Sequence, residues 1–181
     1  MILLIGPSGS GKTTLLNMLC ENGFTKVKSC TTRAPRNESE YDDYDFFTKD
    51  NFQALVDSGA FAEHEEYDGN FYGTLAKDVG KWNAIKIVEP KGFKKLVEKF
   101  PNIMSVYVDT DEDIRQERML SRGDNEANVQ RRIELDKKVF EQEIKFSTDI
   151  VFYNNDDLSK DRLKSLVEIL CLEQMGGKWG E

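Results

Sequence analysis

The chain predicts an α/β fold, a parallel sheet core flanked by helices, on three observations. Short apolar runs alternate with helical patterns through most of the 181 residues; the first run passes through a glycine-rich loop into a helix; and one stretch, 31–80, interrupts the alternation. Parallel neighbours cannot be joined by tight turns. Each pair needs a crossover, and strand-helix alternation supplies it.

The run ILLI (2–5) has the length and composition of a buried strand and ends at Gly6, and TTLLNMLCEN (13–22) reads as a helix stopped by Gly23. Further strands are expected at 84–88 (AIKIV), 103–108 (IMSVYV) and 149–153 (DIVFY), with helices at 90–99, 111–121, 125–146 and 158–173. Between them, 31–80 is rich in Asp, Glu, Tyr and Gly and predicts a hairpin around Asp68-Gly69-Asn70, as an inserted substrate lobe would. The polar stretch SRGDNEAN (121–128) separates two helical patterns and reads as the start of a lid, 121–135. With 39% hydrophobic residues the chain sustains one core, so a single domain over 1–181 is expected, its core made of 1–30, 81–120 and 136–181.

The balance of 25 basic and 33 acidic residues, net −8, argues against nucleic acid and anionic membrane as partners, because both attract basic surfaces. No apolar run reaches the ~18 residues of a membrane span, and Ile2 to Ile5 is too short for a signal-peptide core, which makes the expected location cytoplasmic. Cys20, Cys30 and Cys171 lie far apart without metal spacing and read as reduced thiols. The lone histidine, His64, cannot build a metal site and reads as structural. Arginine is concentrated: Arg33 and Arg36 form one group, Arg115, Arg118, Arg122, Arg131 and Arg132 another, with Arg162 outside both. Planar donors gathered in two short segments of an acidic chain point to a bound anion, since their forks match phosphate oxygens.

GPSGSGKT (6–13) completes the Walker A pattern directly after a strand and directly before a helix. Glycines let successive N–H groups face one concavity, and the helix adds the positive end of its dipole. Gly6, Pro7, Ser8, Gly9, Ser10, Gly11, Lys12, Thr13 and Thr14 are therefore expected to cradle the phosphates of ATP, with Lys12 reaching the β and γ groups and the Thr13 hydroxyl on Mg2+. A phosphate loop alone names no acceptor.

Four segments in order, GPSGSGKTTL (6–15), SCTTRAPRNESEYDDYDF (29–46), EHEEYDGNFYGT (63–74) and RMLSRGDNEANVQRR (118–132), resemble guanylate kinase and cover most of the chain. The resemblance implies the P-loop nucleoside monophosphate kinase fold, with a GMP-binding lobe (31–80) and a lid that closes over the phosphates. It implies transfer of the γ-phosphoryl group of ATP to GMP or dGMP, by a monomer or a homodimer. By the same resemblance Ser29, Arg33, Arg36, Tyr44 and Tyr72 hold the acceptor phosphate, Arg118, Arg122 and Arg132 approach the transferring group with Arg36, Glu63 accepts from guanine N1–H and NH2, Thr74 reads O6, and Asn155 lies near adenine. The reaction makes these types sensible: the acceptor phosphate is already an anionic nucleophile, so charge neutralisation and in-line positioning dominate. Arg115, Arg118 and Arg122 share one helical face, and Arg115 reads as a salt-bridged surface residue. Two departures stand out. Where the family carries acid, one residue, acid, this chain has Ile87 and then Glu89, a residue expected in the substrate site, with Glu89 or Asp109 partly substituting for the missing carboxylate, and Tyr41 replaces a common glycine in a loop one residue shorter. Other P-loop nucleotide or small-metabolite kinases, and guanylate-kinase-like binding modules without activity, are the competing readings.

Overall fold

A computed structural model describes residues 1–35, 38–67, 69–140, 142–155 and 159–176. From the N-terminus the elements are β1 (Ile2–Ile5), α1 (Lys12–Glu21), β2 (Thr25–Lys26), β3 (Ser29–Thr31), a 310 turn (Glu38–Asp42), β4 (Tyr44–Phe46), α2 (Lys49–Asp57), β5 (Phe61–Tyr67), β6 (Asn70–Leu75) and α3 (Ala76–Val79). There follow β7 (Ala84–Ile87), α4 (Pro90–Lys99), β8 (Met104–Asp109), α5 (Glu112–Ser121), α6 (Glu126–Val139), α7 (Gln142–Phe146), β9 (Ile150–Tyr153) and α8 (Ser159–Gly176).

Five strands form a wholly parallel sheet in the order β2-β7-β1-β8-β9. β1 is its centre, and all four of its residues are fully buried because alternate side chains enter opposite layers. Ile2 and Leu4 pack with Leu15, Leu16 and Leu19 of α1 and with Leu163, Leu166, Val167 and Leu170 of α8. Leu3 and Ile5 face Phe93 and Leu96 of α4, Tyr107 and Ile144.

The segment that breaks the alternation forms a second, mostly antiparallel sheet, order β4-β3-β6-β5, which begins at Ser29. Its small core stacks Phe52 of α2 on Phe61 and Phe71, with ring centroids 4.5 and 5.6 Å away. The β5–β6 hairpin pairs Tyr67 with Asn70 across Gly69, whose φ is +70°; Asp68 lies outside the described residues. Lysines of α4 cover the free edge of β5: Lys95 Nζ donates to His64 O at 2.9 Å and Lys99 Nζ to Ala62 O at 3.1 Å.

One expected helix is in fact two. The pattern read as continuous over 125–146 stops at Val139, with Phe140 as its C-cap, and resumes at Gln142. Its halves answer to different neighbours: Val129 and Ile133 pack on Met119 of α5, whereas Phe140 and Ile144 pack against the sheet layer of Tyr107. One straight cylinder does not serve both. Among the described residues no helix is long and apolar enough to cross a membrane, and all three cysteines are free thiols.

Candidate active site

The phosphate loop leaves the carboxyl end of β1 and enters α1 at Lys12. Gly9 and Gly11 have φ of +77° and +101°, and each lies where no side chain fits: a Cβ at Gly9 would meet Arg115 O at 2.8 Å, and one at Gly11 would collide with Asn154 Nδ2. Lys12 Nζ is gripped by the loop carbonyls of Gly6 (2.7 Å) and Pro7 (2.8 Å). Burial pushes its ammonium down to about 8, against the pull of Glu89 and Asp136. Glu89, the N-cap residue of α4 ahead of Pro90, is the first of these counter-charges. Loss of hydration raises its carboxyl from the ordinary value, with Lys12 opposing. Thr13 and Thr14 are exposed in the first turn of α1, where the Thr13 hydroxyl could meet a hydrated cation.

The loop is braced from behind, in part by residues the sequence did not single out: Asp136, Asn154 and Thr110. Asp136 of α6 accepts from Ser8 N at 2.8 Å and pairs with Arg115 Nη1 at 3.2 Å, and the same guanidinium donates to Ser8 O (3.2 Å) and Thr110 O (3.2 Å). Arg115 is 6% exposed and Asp136 8%. Arg115 is thus an internal strut, not the surface residue its helical spacing suggested, because α5 turns that face onto the loop. Asn154 Nδ2 and Thr110 Oγ1 both donate to Ser10 O, at 2.8 and 3.0 Å. Asn155 closes the same corner, accepting from Asp111 N at 2.9 Å at the start of α5.

Arg118 extends from α5 toward the loop, where Nη2 donates to Asn154 O at 3.0 Å. Its Nη1 is buried with no partner among the described residues, as is Ser10 Oγ. A guanidinium held by one nitrogen and unspent at the other suits an incoming phosphate oxygen. Arg122 and Arg132 are more exposed and share one carboxylate: Asp124 Oδ2 lies 2.6 Å from Arg122 Nη2 and 3.6 Å from Arg132 Nη1. Arg36 lies outside the described residues.

Of the acceptor residues that the resemblance named, the small sheet carries Ser29, Tyr44, Glu63, Tyr72 and Thr74. Pairing sets Ser29 opposite Tyr44, Thr31 opposite Tyr72 and Glu63 opposite Thr74. The last pair is joined directly, Thr74 Oγ1 donating to Glu63 Oε1 at 2.6 Å, with Thr74 wholly buried. Arg33 is forked onto Glu40 (2.8 and 3.1 Å) and lies 5.4 Å over the Tyr44 ring. Ser29 Oγ accepts from Lys86 Nζ at 2.6 Å. Glu40 and Lys86 were missed; Glu40 carries no signal in an acidic loop, whereas a lone lysine inside the apolar run AIKIV is a signal that was available.

A glycine cradle at the mouth of a parallel sheet, partnered by a side-chain-lined antiparallel sheet and an arginine-bearing helix pair, defines a P-loop nucleoside monophosphate kinase scaffold. Known proteins agree. The family model described as Guanylate kinase matches residues 1–171. A guanylate kinase of Chlamydia felis is 32% identical over 176 residues, covering 92% of this chain and 86% of that protein. The crystal structure of guanylate kinase from Anaplasma phagocytophilum superposes with a TM-score of 0.69 at 25% identity, over 97% of this chain and 86% of that one. The chain belongs to the guanylate kinase family.

Proposed function

We propose that the protein transfers the γ-phosphoryl group of ATP to GMP, giving ADP and GDP. The observation that carries this reading is the Glu63–Thr74 pair. A carboxylate accepts only, and guanine offers N1–H and NH2 side by side, whereas adenine presents an unprotonated N1 that leaves the acid without its donors. The acceptor phosphate falls to Arg33, Tyr44 and Tyr72, with Arg36 from the neighbouring loop; Ser29, which the resemblance put with them, is engaged by Lys86 Nζ. Lys12, the loop amides and the unspent nitrogen of Arg118 meet the charge on the transferring group, joined by Arg122 and Arg132 as 121–135 closes. Thr13 would hold a magnesium ion by its hydroxyl, and the ion, which favours substrate phosphates and few protein oxygens, would neutralise phosphate charge; Glu89, at the second place of the acid pair that Ile87 interrupts, would face its water shell.

In this reading 31–80, which carries most of the small sheet, is the acceptor lobe and 121–135 the lid, both moving on the parallel-sheet core and excluding water that would otherwise hydrolyse ATP. The intact loop favours catalysis over a binding module. The deciding experiment is a coupled assay of ADP release with AMP, GMP, dGMP, CMP, UMP and dTMP as acceptors. GMP is expected to lead; AMP used as readily as GMP, or no turnover with any acceptor, would reject the proposal.

A further inference from the structure

Lys86 belongs to β7 of the parallel sheet, yet its side chain serves the other sheet. Nζ donates to Ser29 Oγ at 2.6 Å and lies 3.4 Å from Lys28 O, at the start of β3. The residue is 4% exposed. Burial pushes the ammonium down to about 8, while Glu63 on β5, Cys30 on β3 and Asp78 on α3 pull it back up. An ammonium carries three hydrogens and accepts none, so two of them are matched among the described residues and one is not. Burying a cation with a hydrogen unspent is costly, and a methionine would fill the same place without the cost.

The neighbouring pair explains what such a cation is for. The Thr74 hydroxyl has one hydrogen, and at 2.6 Å from Glu63 Oε1 it is given to an acceptor-only group. Thr74 therefore has no hydrogen left for a base carbonyl unless it is released from Glu63. An oxopurine edge carries N1–H, which Glu63 can accept, beside O6, which needs a donor. We propose that Lys86, acting with Ser29, supplies that donor and is a specificity-determining residue for 6-oxopurine acceptors. Because Ser29 Oγ receives the Lys86 hydrogen, its own hydrogen is free to be donated; the third hydrogen of Lys86 offers the direct route. Either way positive charge stands beside a carbonyl oxygen, at the position where adenine would bring an amino group.

This inference rests on GMP being the acceptor, and the experiment separates the two. Wild type, Lys86→Met and Ser29→Ala are compared with GMP, IMP and 2-aminopurine riboside monophosphate. IMP keeps the 6-oxo group without the 2-amino group, and the aminopurine nucleotide the reverse. Lys86→Met is expected to lower kcat/KM about ten- to a hundredfold for GMP and equally for IMP, chiefly through KM. The aminopurine nucleotide should change by less than about threefold, with KM for ATP unmoved and the melting temperature unchanged or raised, as loss of a buried charge allows. Equal losses on the oxo and non-oxo acceptors, or an unchanged GMP to aminopurine ratio, would overturn the role of Lys86 while leaving the kinase reading intact. Wild type that turns over the panel but ignores GMP and IMP would overturn both. If Lys86→Met fails to fold, Ser29→Ala carries the same comparison with the same outcomes.

Discussion

The two sheets hold their chemistry by opposite means. Around the phosphate loop, backbone geometry does the positioning: two left-handed glycines, loop carbonyls on Lys12, and a buried brace of Arg115, Asp136 and Asn154 behind Ser8 and Ser10. Around the small sheet, side chains position other side chains, in the pairs Arg33–Glu40, Thr74–Glu63 and Lys86–Ser29. Backbone cradles accept any nucleoside triphosphate tail, since phosphates look alike. Side-chain pairs carry the discrimination, because donors and acceptors can be matched atom by atom to one base edge.

The contrast breaks most visibly at Lys12. Removing its charge with Lys12→Ala should lower kcat at least about a hundredfold with every acceptor while circular dichroism and melting stay near wild type. A folded variant with near-native kcat would mean that the loop does not organise the transfer. Glu63→Gln should act on one side only. It leaves an amide with a single acceptor oxygen against guanine's two donors, so kcat/KM for GMP should fall about ten- to a hundredfold. ATP affinity, read separately by calorimetry, should hardly change; a matching loss of ATP affinity would show that the halves are not independent.

The brace behind the loop gives a smaller and differently shaped effect. Asp136→Asn keeps an oxygen for Ser8 N but strips the counter-charge from buried Arg115, and removing one member of such a pair costs about 3 kcal/mol. A fall of several degrees in melting temperature is expected, with KM for ATP raised on the order of tenfold and KM for GMP unchanged, as loosened loop amides predict. Raised GMP KM with normal ATP KM would place Asp136 in the acceptor half instead.

The same contrast decides what could be read from the sequence. The cradle is contiguous, so GPSGSGKT, the strand before it and the helix after it were legible from residue types alone. The parallel core followed from ILLI, AIKIV, IMSVYV and DIVFY. The side of the small sheet draws Ser29, Tyr44, Glu63, Thr74 and Lys86 from five strands, and only chain pairing brings them together. There the resemblance to a family supplied the residues, and it was silent on Lys86 and Glu40. The brace escaped for a related reason. Arg115 and Asp136 are 21 positions apart on two helices, and no local pattern distinguishes an arginine turned inward from one turned out.

The smallest effect is also the most specific to Lys86, and it is one of stability. Its ammonium titrates at about 8 in the folded chain, whereas an unfolded lysine does so near about 10.4. Between those values the unfolded chain binds the extra proton, so stability gains a positive slope with pH from this residue. Below about 8 both forms carry the charge and the burial penalty is paid in full; above about 10.4 neither does. Lys86→Met removes the titration altogether. The stability of the variant relative to wild type should therefore be greatest at pH 7 and decline toward pH 10, by at most about 3 kcal/mol. Lys12, also lowered by burial, is present in both proteins and cancels from the difference. Urea unfolding of the two proteins from pH 7 to 10 measures it. A difference flat across that range would mean that Lys86 is hydrated in the folded chain, and the spare hydrogen assigned to O6 would then be spent on water.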